Sequence, residues 1–211
     1  MKLIVVTSSR KLEDEEKILT SMFEEGLSIL HFRKPHLSTA QADALLKKIP
    51  RQFHSRIILH YHHILAAKYD LMGIHYSDIH LKKSLKYFWV RFRLRMKMNK
   101  IYKCHTFYSL KSVHETDLNR FDYCIIANLF NNITGEFLGN YTRENIRALI
   151  NNTKVPWVAR GGATPLVIPL CFELGFWGIA FQSYIWKHSN PLLQFRKIQK
   201  SFEENKIPLG E

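Results

Sequence analysis

Val155-Pro156-Trp157-Val158-Ala159-Arg160-Gly161-Gly162-Ala163-Thr164-Pro165 runs from an apolar stretch into a double glycine and then into the start of a helix-like segment. Sixteen residues after Gly162 the pattern recurs as Gly178-Ile179-Ala180-Phe181, followed by Gln182-Ser183 and another helical stretch. Two consecutive strand–turn–helix units near the C-terminus point to a phosphate site. Glycine lets backbone N–H groups approach an anion closely, and a helix N-terminus adds partial positive charge. In (β/α)8 barrels the loops after the last two strands are the usual phosphate cradle. A plain turn in which the glycines only supply positive φ is the bland alternative.

Outward from that stretch, short apolar runs alternate with helix-like segments. Strands are expected over residues 3–7, 29–32, 56–60, 73–76, 101–104, 123–127, 157–159 and 177–181, and helices over 13–25, 39–47, 64–68, 82–95, 110–119, 143–150, 166–174 and 191–203. The runs are continuously apolar rather than alternating, which suits parallel strands buried on both faces. Eight strands alternating with eight helices predict a single-domain α/β (β/α)8 TIM barrel over residues 1–211, with a doubly wound open sheet as the competing architecture. Ser38 and Ser109 are expected N-caps and Gly26 a C-cap.

The chain has 211 residues, and hydrophobic residues make up 46% of them. No apolar stretch is long enough to span a membrane without charges, and the N-terminal apolar run is too short for a signal peptide. Cys104, Cys124 and Cys171 are an odd set without CxxC spacing, which fits a reducing, cytoplasmic setting. Thirty-one Lys and Arg stand against 18 acids, a formal charge of +13. Such excess attracts phosphorylated metabolites, nucleic acid or anionic surfaces without choosing among them. Much of it falls in residues 82–97, where basic and aromatic residues interleave. That run is read as a solvated helix face, since no nucleic-acid-binding motif accompanies it. Assembly into a homo-oligomer is left open.

In a barrel the chemistry sits at the C-terminal strand ends. Those ends are expected at His31-Phe32-Arg33-Lys34-Pro35, His60-Tyr61-His62, His75-Tyr76, Lys103-Cys104-His105 and Asn128 onward to Thr134. The mouth is polar and cationic, with few carboxylates.

The order of these segments resembles the thiamine-phosphate synthase / TenI family of TIM barrels over nearly the whole chain. The family's Gln-x-Arg-x-Lys is matched by His31-Phe32-Arg33-Lys34-Pro35, and its Asn-Asp followed by Gly-Val-His by His60-Tyr61 and Gly73-Ile74-His75. Its Ser-x-His is matched by Lys103-Cys104-His105, its Asp-Tyr by Asp122-Tyr123, and its Pro-Val-x-Ala-x-Gly-Gly-Ile by Val155 to Ala163. Its closing phosphate loop is matched by Gly178 to Ser183. The resemblance implies that a thiazole phosphate, a small phosphorylated heterocycle, binds at Gly161, Gly162, Gln182 and Ser183. In the synthases a pyrimidine pyrophosphate binds beside it, and pyrophosphate leaves with help from magnesium.

The chain departs from the family where that chemistry would occur. The metal-binding aspartates fall on Tyr61 and His80, the pyrophosphate lysine on Pro35, the strand-five serine on Lys103 and the lysine after strand six on Gly135. The tautomerase histidine falls on Asn128. Arg33, Lys34, His60, Lys103 and Asn128 are therefore expected to carry catalysis, with His31, His75 and Thr134 as substrate contacts. Arg33, Lys34 and Lys103 would neutralise an anionic leaving group without metal. Magnesium would enter only if Asp78 or the substrate phosphates supplied its ligands, and zinc on the histidines ranks below a metal-free anion site. The expected function is a thiamine-biosynthesis protein of the synthase type. A thiazole isomerase and a catalytically silent binder of thiazole phosphate or thiamine phosphate are the alternatives.

Overall fold

The structure, a computed structural model, describes residues 1–77, 92, 96 and 100–210. Eight parallel strands close on themselves in sequence order, with β8 paired back to β1. They are β1 (Lys2–Val6), β2 (Ile29–Phe32), β3 (Ile57–Leu59), β4 (Gly73–Tyr76), β5 (Tyr102–Phe107), β6 (Tyr123–Ile126), β7 (Trp157–Arg160) and β8 (Gly178–Phe181). This is the α/β TIM barrel that the alternating apolar runs predict, and the open sheet is ruled out by the β1–β8 pairing.

The helices of the described residues are α1 (Glu15–Glu24), α2 (Thr39–Lys48), α3 (Ile64–Tyr69), α4 (Leu110–His114), α5 (Arg143–Asn151), α6 (Ile168–Leu174), α7 (Ser183–Trp186) and α8 (Pro191–Glu204). Ser38 caps α2 in a reciprocal capping box with Gln41, and Ser109 accepts from the Ser112 N–H at the start of α4. The helix expected over 110–119 stops at His114, and a separate 3-10 turn follows at Leu118–Arg120. The expected helix 82–95 and the basic run 82–97 lie outside the described residues.

Strand parity splits the core into two shells. Ile4, Val6, Ile29, Ile58, Cys104, Tyr123, Ile125, Val158 and Ala180 fill the barrel interior. Their neighbours along each strand, such as Leu3, Val5, Leu30, Ile57, Leu59, Ile74, Phe107 and Trp157, pack outward against the helices. Continuous apolar runs are the sequence trace of strands covered on both sides.

β5 departs furthest from the expected strand at its mouth end. It runs three residues past Cys104, to Phe107. The polar Thr106 faces inward, so hydrophobicity ended before the strand did. Lys103 consequently sits at the opposite, N-terminal end of β5, exposed, with its backbone N–H donating to Asp122 Oδ2 at 2.8 Å. It is removed from the mouth where a clamp role would place it.

Candidate anion site at the barrel mouth

Two residues beyond the apolar interior shell, the inward positions turn polar. His31 follows Ile29, His60 follows Ile58, Thr106 follows Cys104, Arg160 follows Val158 and Gln182 follows Ala180, with His75 joining from β4. Side-chain bonds across the barrel confirm that they face inward. His31 Nδ1 lies 2.9 Å from His60 Nε2, His75 Nε2 lies 2.8 Å from Thr106 Oγ1, and Arg160 Nη2 donates to Gln182 Oε1 at 2.9 Å. The His60 and His75 rings stack, centroids 4.0 Å apart and 11° from parallel.

Above this storey, Gly161, Gly162, Gln182 and Ser183 line one cavity of about 160 Å3, together with Arg160, Asn128 and Tyr108. That is space for on the order of five waters, enough for a phosphate group. Among the described residues the N–H groups of Gly162 and Ser183 have no protein acceptor. The helices that follow are short. α7 has 4 residues and α6 has 7, so the attraction for an anion rests on backbone N–H groups and side-chain charge rather than on a long helix dipole.

Both glycines also have a packing duty. Gly161 and Gly162 have φ of 89° and 70°. A Cβ on Gly161 would fall 2.4 Å from Asn128 N, and one on Gly162 would fall 1.8 Å from Phe130 O. The loop after β6 is laid directly on the double glycine, with Phe130 N–H donating to Gly161 O at 3.0 Å. Asn128, itself at φ 56°, enters the cavity wall this way.

Arg160 is the residue that sequence reading passed over. It fills the variable position before the double glycine, and parity turns it into the mouth. Burial lowers its pKa, Tyr108 opposes that, and Arg33 reinforces it. Among the described residues no carboxylate acts on it, and neither Arg160 nor Arg33 is ion-paired there. Arg33 is partly buried and held by its backbone, its N–H donating to Thr7 Oγ1 at 2.8 Å and its carbonyl accepting from the same hydroxyl at 3.1 Å. The charges felt at His31, His60 and His75 are likewise those of Arg160, Arg33 and other histidines. A cation partly withdrawn from water without a counter-charge is costly.

The remaining expected residues are placed otherwise. Lys34 is 2% exposed. Its Nζ bonds Glu15 at the start of α1 and donates to Arg10 O at 2.9 Å, so this charge is consumed inside the protein. His31 is 0% exposed, with Nε2 held 2.7 Å from Tyr123 Oη and Nδ1 on His60. It lies beneath the ligand space rather than in contact with it. Thr134 is exposed, bonded within its own turn to Glu136 Oε2 at 3.2 Å. His62 turns away at φ 55° to bond Leu37 O and Thr39. His60 and His75, 5% and 6% exposed, stay at the mouth. His80 and Asp78 lie outside the described residues.

A model of the family described as thiamine monophosphate synthase matches residues 3–185. The chain belongs to this family. No curated protein is a sequence match. Among solved structures it is similar to a thiamine phosphate pyrophosphorylase from Bacteroides thetaiotaomicron, with 26% identity, a TM-score of 0.75, and 96% of this chain and 98% of that one covered. The corresponding protein of Pyrococcus furiosus has 20% identity and a TM-score of 0.73 over 97% and 96% of the two chains. A 3-hexulose-6-phosphate synthase shares the fold at 13% identity and a TM-score of 0.61, over 95% and 99%. As a thiamine monophosphate synthase family member, the chain carries an arginine before its double glycine and histidines at its barrel mouth.

Magnesium, which the family resemblance implies, needs hard oxygen donors. Around the mouth the described side chains are imidazoles, two guanidiniums and hydroxyls, and the carboxylate of Glu15 is spent on Lys34. Tyr61, where an aspartate is expected, offers a neutral phenol. A hard dication prefers anionic oxygen and is repelled by neighbouring cations, so this donor set does not fit it. No group of three or more His, Cys, Asp or Glu suited to a metal occurs among the described residues. No helix among them is long and apolar enough to cross a membrane.

Proposed function

We propose that this chain binds a small phosphorylated heterocycle of the thiamine pathway, a thiazole phosphate, with the phosphate in the Gly161–Gly162 and Gln182–Ser183 cavity. Arg160 and Arg33 supply the countercharge that carboxylate-held magnesium supplies in the synthases. The observation that carries this reading is Arg160. It is fixed by Gln182, turned into the same cavity as the double glycine, and unpaired with any acid among the described residues. The heterocycle then extends from the phosphate across the barrel axis toward His60 and His75. A synthase or isomerase acting on such a ligand would use these residues in place of the family's usual set. Lys34 and Lys103 are not part of the proposal.

Calorimetry with 4-methyl-5-(2-hydroxyethyl)thiazole phosphate, run with magnesium and again with EDTA, tests it. Equal affinity in both, lost in Arg160→Met, is expected. Affinity that depends on magnesium would return a metal to the site. Complementation of a thiamine auxotroph lacking the synthase separates a synthase from an isomerase or binder.

A further inference from the structure

A second and larger cavity adjoins the one lined by the double glycine. Ser183 lines both, and Ala163 in the wall of the first is followed in sequence by Thr164 in the wall of the second. The second cavity has a volume of about 420 Å3 and lies between the turn after β7 and α7, with Lys187 and His188 also in its wall. Arg160, His60 and His75, which face inward at the mouth, do not line it. It is a separate compartment beside the anion cavity, distinct from the space over the barrel axis.

Its lining suits an anion. Lys187 brings a positive charge and His188 an imidazole set edge-on to the Tyr184 ring, centroids 5.9 Å apart. No carboxylate lines the cavity, and neither Lys187 nor His188 is ion-paired among the described residues. Thr164 supplies the independent observation. It is 7% exposed, and its hydroxyl is buried without a hydrogen-bond partner. Thr164 stands at the N-cap position of the 3-10 turn Pro165–Val167, where a threonine oxygen ordinarily accepts from a backbone N–H of the first turn. Here it makes no such bond, and the Thr164 backbone N–H also lacks an acceptor among the described residues. An idle buried hydroxyl is unfavourable, and a phosphoryl oxygen is an acceptor for its proton.

We propose that the adjoining cavity holds a second phosphoryl group, so that the site takes a heterocyclic diphosphate ester. The ester phosphate lies by Gly161–Gly162 and Arg160, and the terminal phosphate lies by Lys187, His188 and the Thr164 hydroxyl. The two phosphorus atoms share one bridging oxygen, and Ser183, common to both walls, stands at the joint. The ring stays on the axial side, toward His60 and His75. This inference rests on the first phosphate being held at Gly161–Gly162.

The test compares 4-methyl-5-(2-hydroxyethyl)thiazole phosphate with the corresponding diphosphate by calorimetry in EDTA. The wild-type protein should bind the diphosphate about tenfold more tightly, the difference made by one hydrogen bond to a charged group. Lys187→Met should abolish that preference and keep the monophosphate affinity within about threefold. Thr164→Val keeps the side-chain shape and removes the idle hydroxyl, and it should shrink the preference with the monophosphate affinity unchanged. Inorganic pyrophosphate, which lacks the ring, should bind more weakly than the diphosphate ester. Equal binding of both esters by the wild type, a preference that survives in both variants, or pyrophosphate bound as tightly as the ester overturns the proposal and leaves the monophosphate site standing. Failure of both esters to bind overturns the phosphate reading and this one with it.

Discussion

Arg160 reaches across from β7 to the end of β8 and donates through Nη2 to Gln182 Oε1 at 2.9 Å, while Gln182 Nε2 donates onward to Thr7 O at 3.1 Å. The glutamine amide is thus used up as a brace between β7, β8 and β1. It holds the guanidinium of Arg160, which lines the cavity. Gln182 therefore lines the cavity with its side-chain amide bonded to Arg160 and Thr7.

This arrangement predicts opposite responses of affinity and stability. Arg160→Met should weaken thiazole phosphate by about 1.5–3 kcal/mol, the worth of a hydrogen bond to a charged group, or roughly 10- to 150-fold. The free protein should melt no lower, because the change deletes a cation that has no acid to lose. Arg33→Met should behave in the same sense. Calorimetry and thermal melts on the same samples decide it, and a fall in melting temperature with unchanged affinity would make both arginines structural.

Lys34 should respond the other way. Lys34→Met leaves the Glu15 carboxylate buried alone, with Oε1 already lacking a hydrogen-bond partner. Breaking such a pair costs about 3–5 kcal/mol, whereas thiazole phosphate affinity should be untouched. Adding Glu15→Met to the same chain should recover much of the loss. Weakened binding in a fully stable Lys34→Met protein would restore Lys34 to the ligand site.

The buried histidines make the fold acid-sensitive. Burial lowers His31 to about 3 from an unfolded value of 6.5, and lowers His60 and His75 as well. The unfolded chain therefore takes up protons that the folded chain refuses. This contribution is complete above about pH 6.5 and drains away as pH falls toward 3. At pH 5 His31 alone should cost about 2 kcal/mol relative to pH 7. Urea midpoints at constant ionic strength measure it. The slope should flatten in His31→Leu, and a midpoint indifferent to pH from 7 to 5 would contradict a neutral buried cluster.

Gly162→Ala should damage the protein before it touches the ligand. The added Cβ meets Phe130 O at 1.8 Å and sits at φ 70°, so the loop after β6 must move. A loss of about 1–3 kcal/mol is expected from the left-handed backbone alone. A stable Gly162→Ala protein with unaltered melting would show that the two loops are not packed this way.

The amino-acid sequence by itself determined the barrel and the pair of loops that line one cavity at its mouth. Both are written in local terms: apolar runs just long enough for doubly covered strands, and the backbone freedom of Gly161-Gly162 at a strand end. Its limit was reached where a polar residue continued a strand. Thr106 hid the last turn of β5 toward the mouth and made Lys103 look like a mouth residue. Only the tertiary structure decided which side chains meet. Arg33 and Lys34 are adjacent and equally cationic in the sequence, yet among the described residues one has no acid partner and the other is sealed on Glu15. Arg160, Tyr123 and Cys104 carried no signal as a variable position, a strand start and a buried thiol. Closure of eight strands fixes the register, register fixes which residues face inward, and inward neighbours from strands far apart in sequence then share protons and charge. Pairings of that kind span 92 residues between His31 and Tyr123 and 175 between Gln182 and Thr7, and no local pattern encodes them.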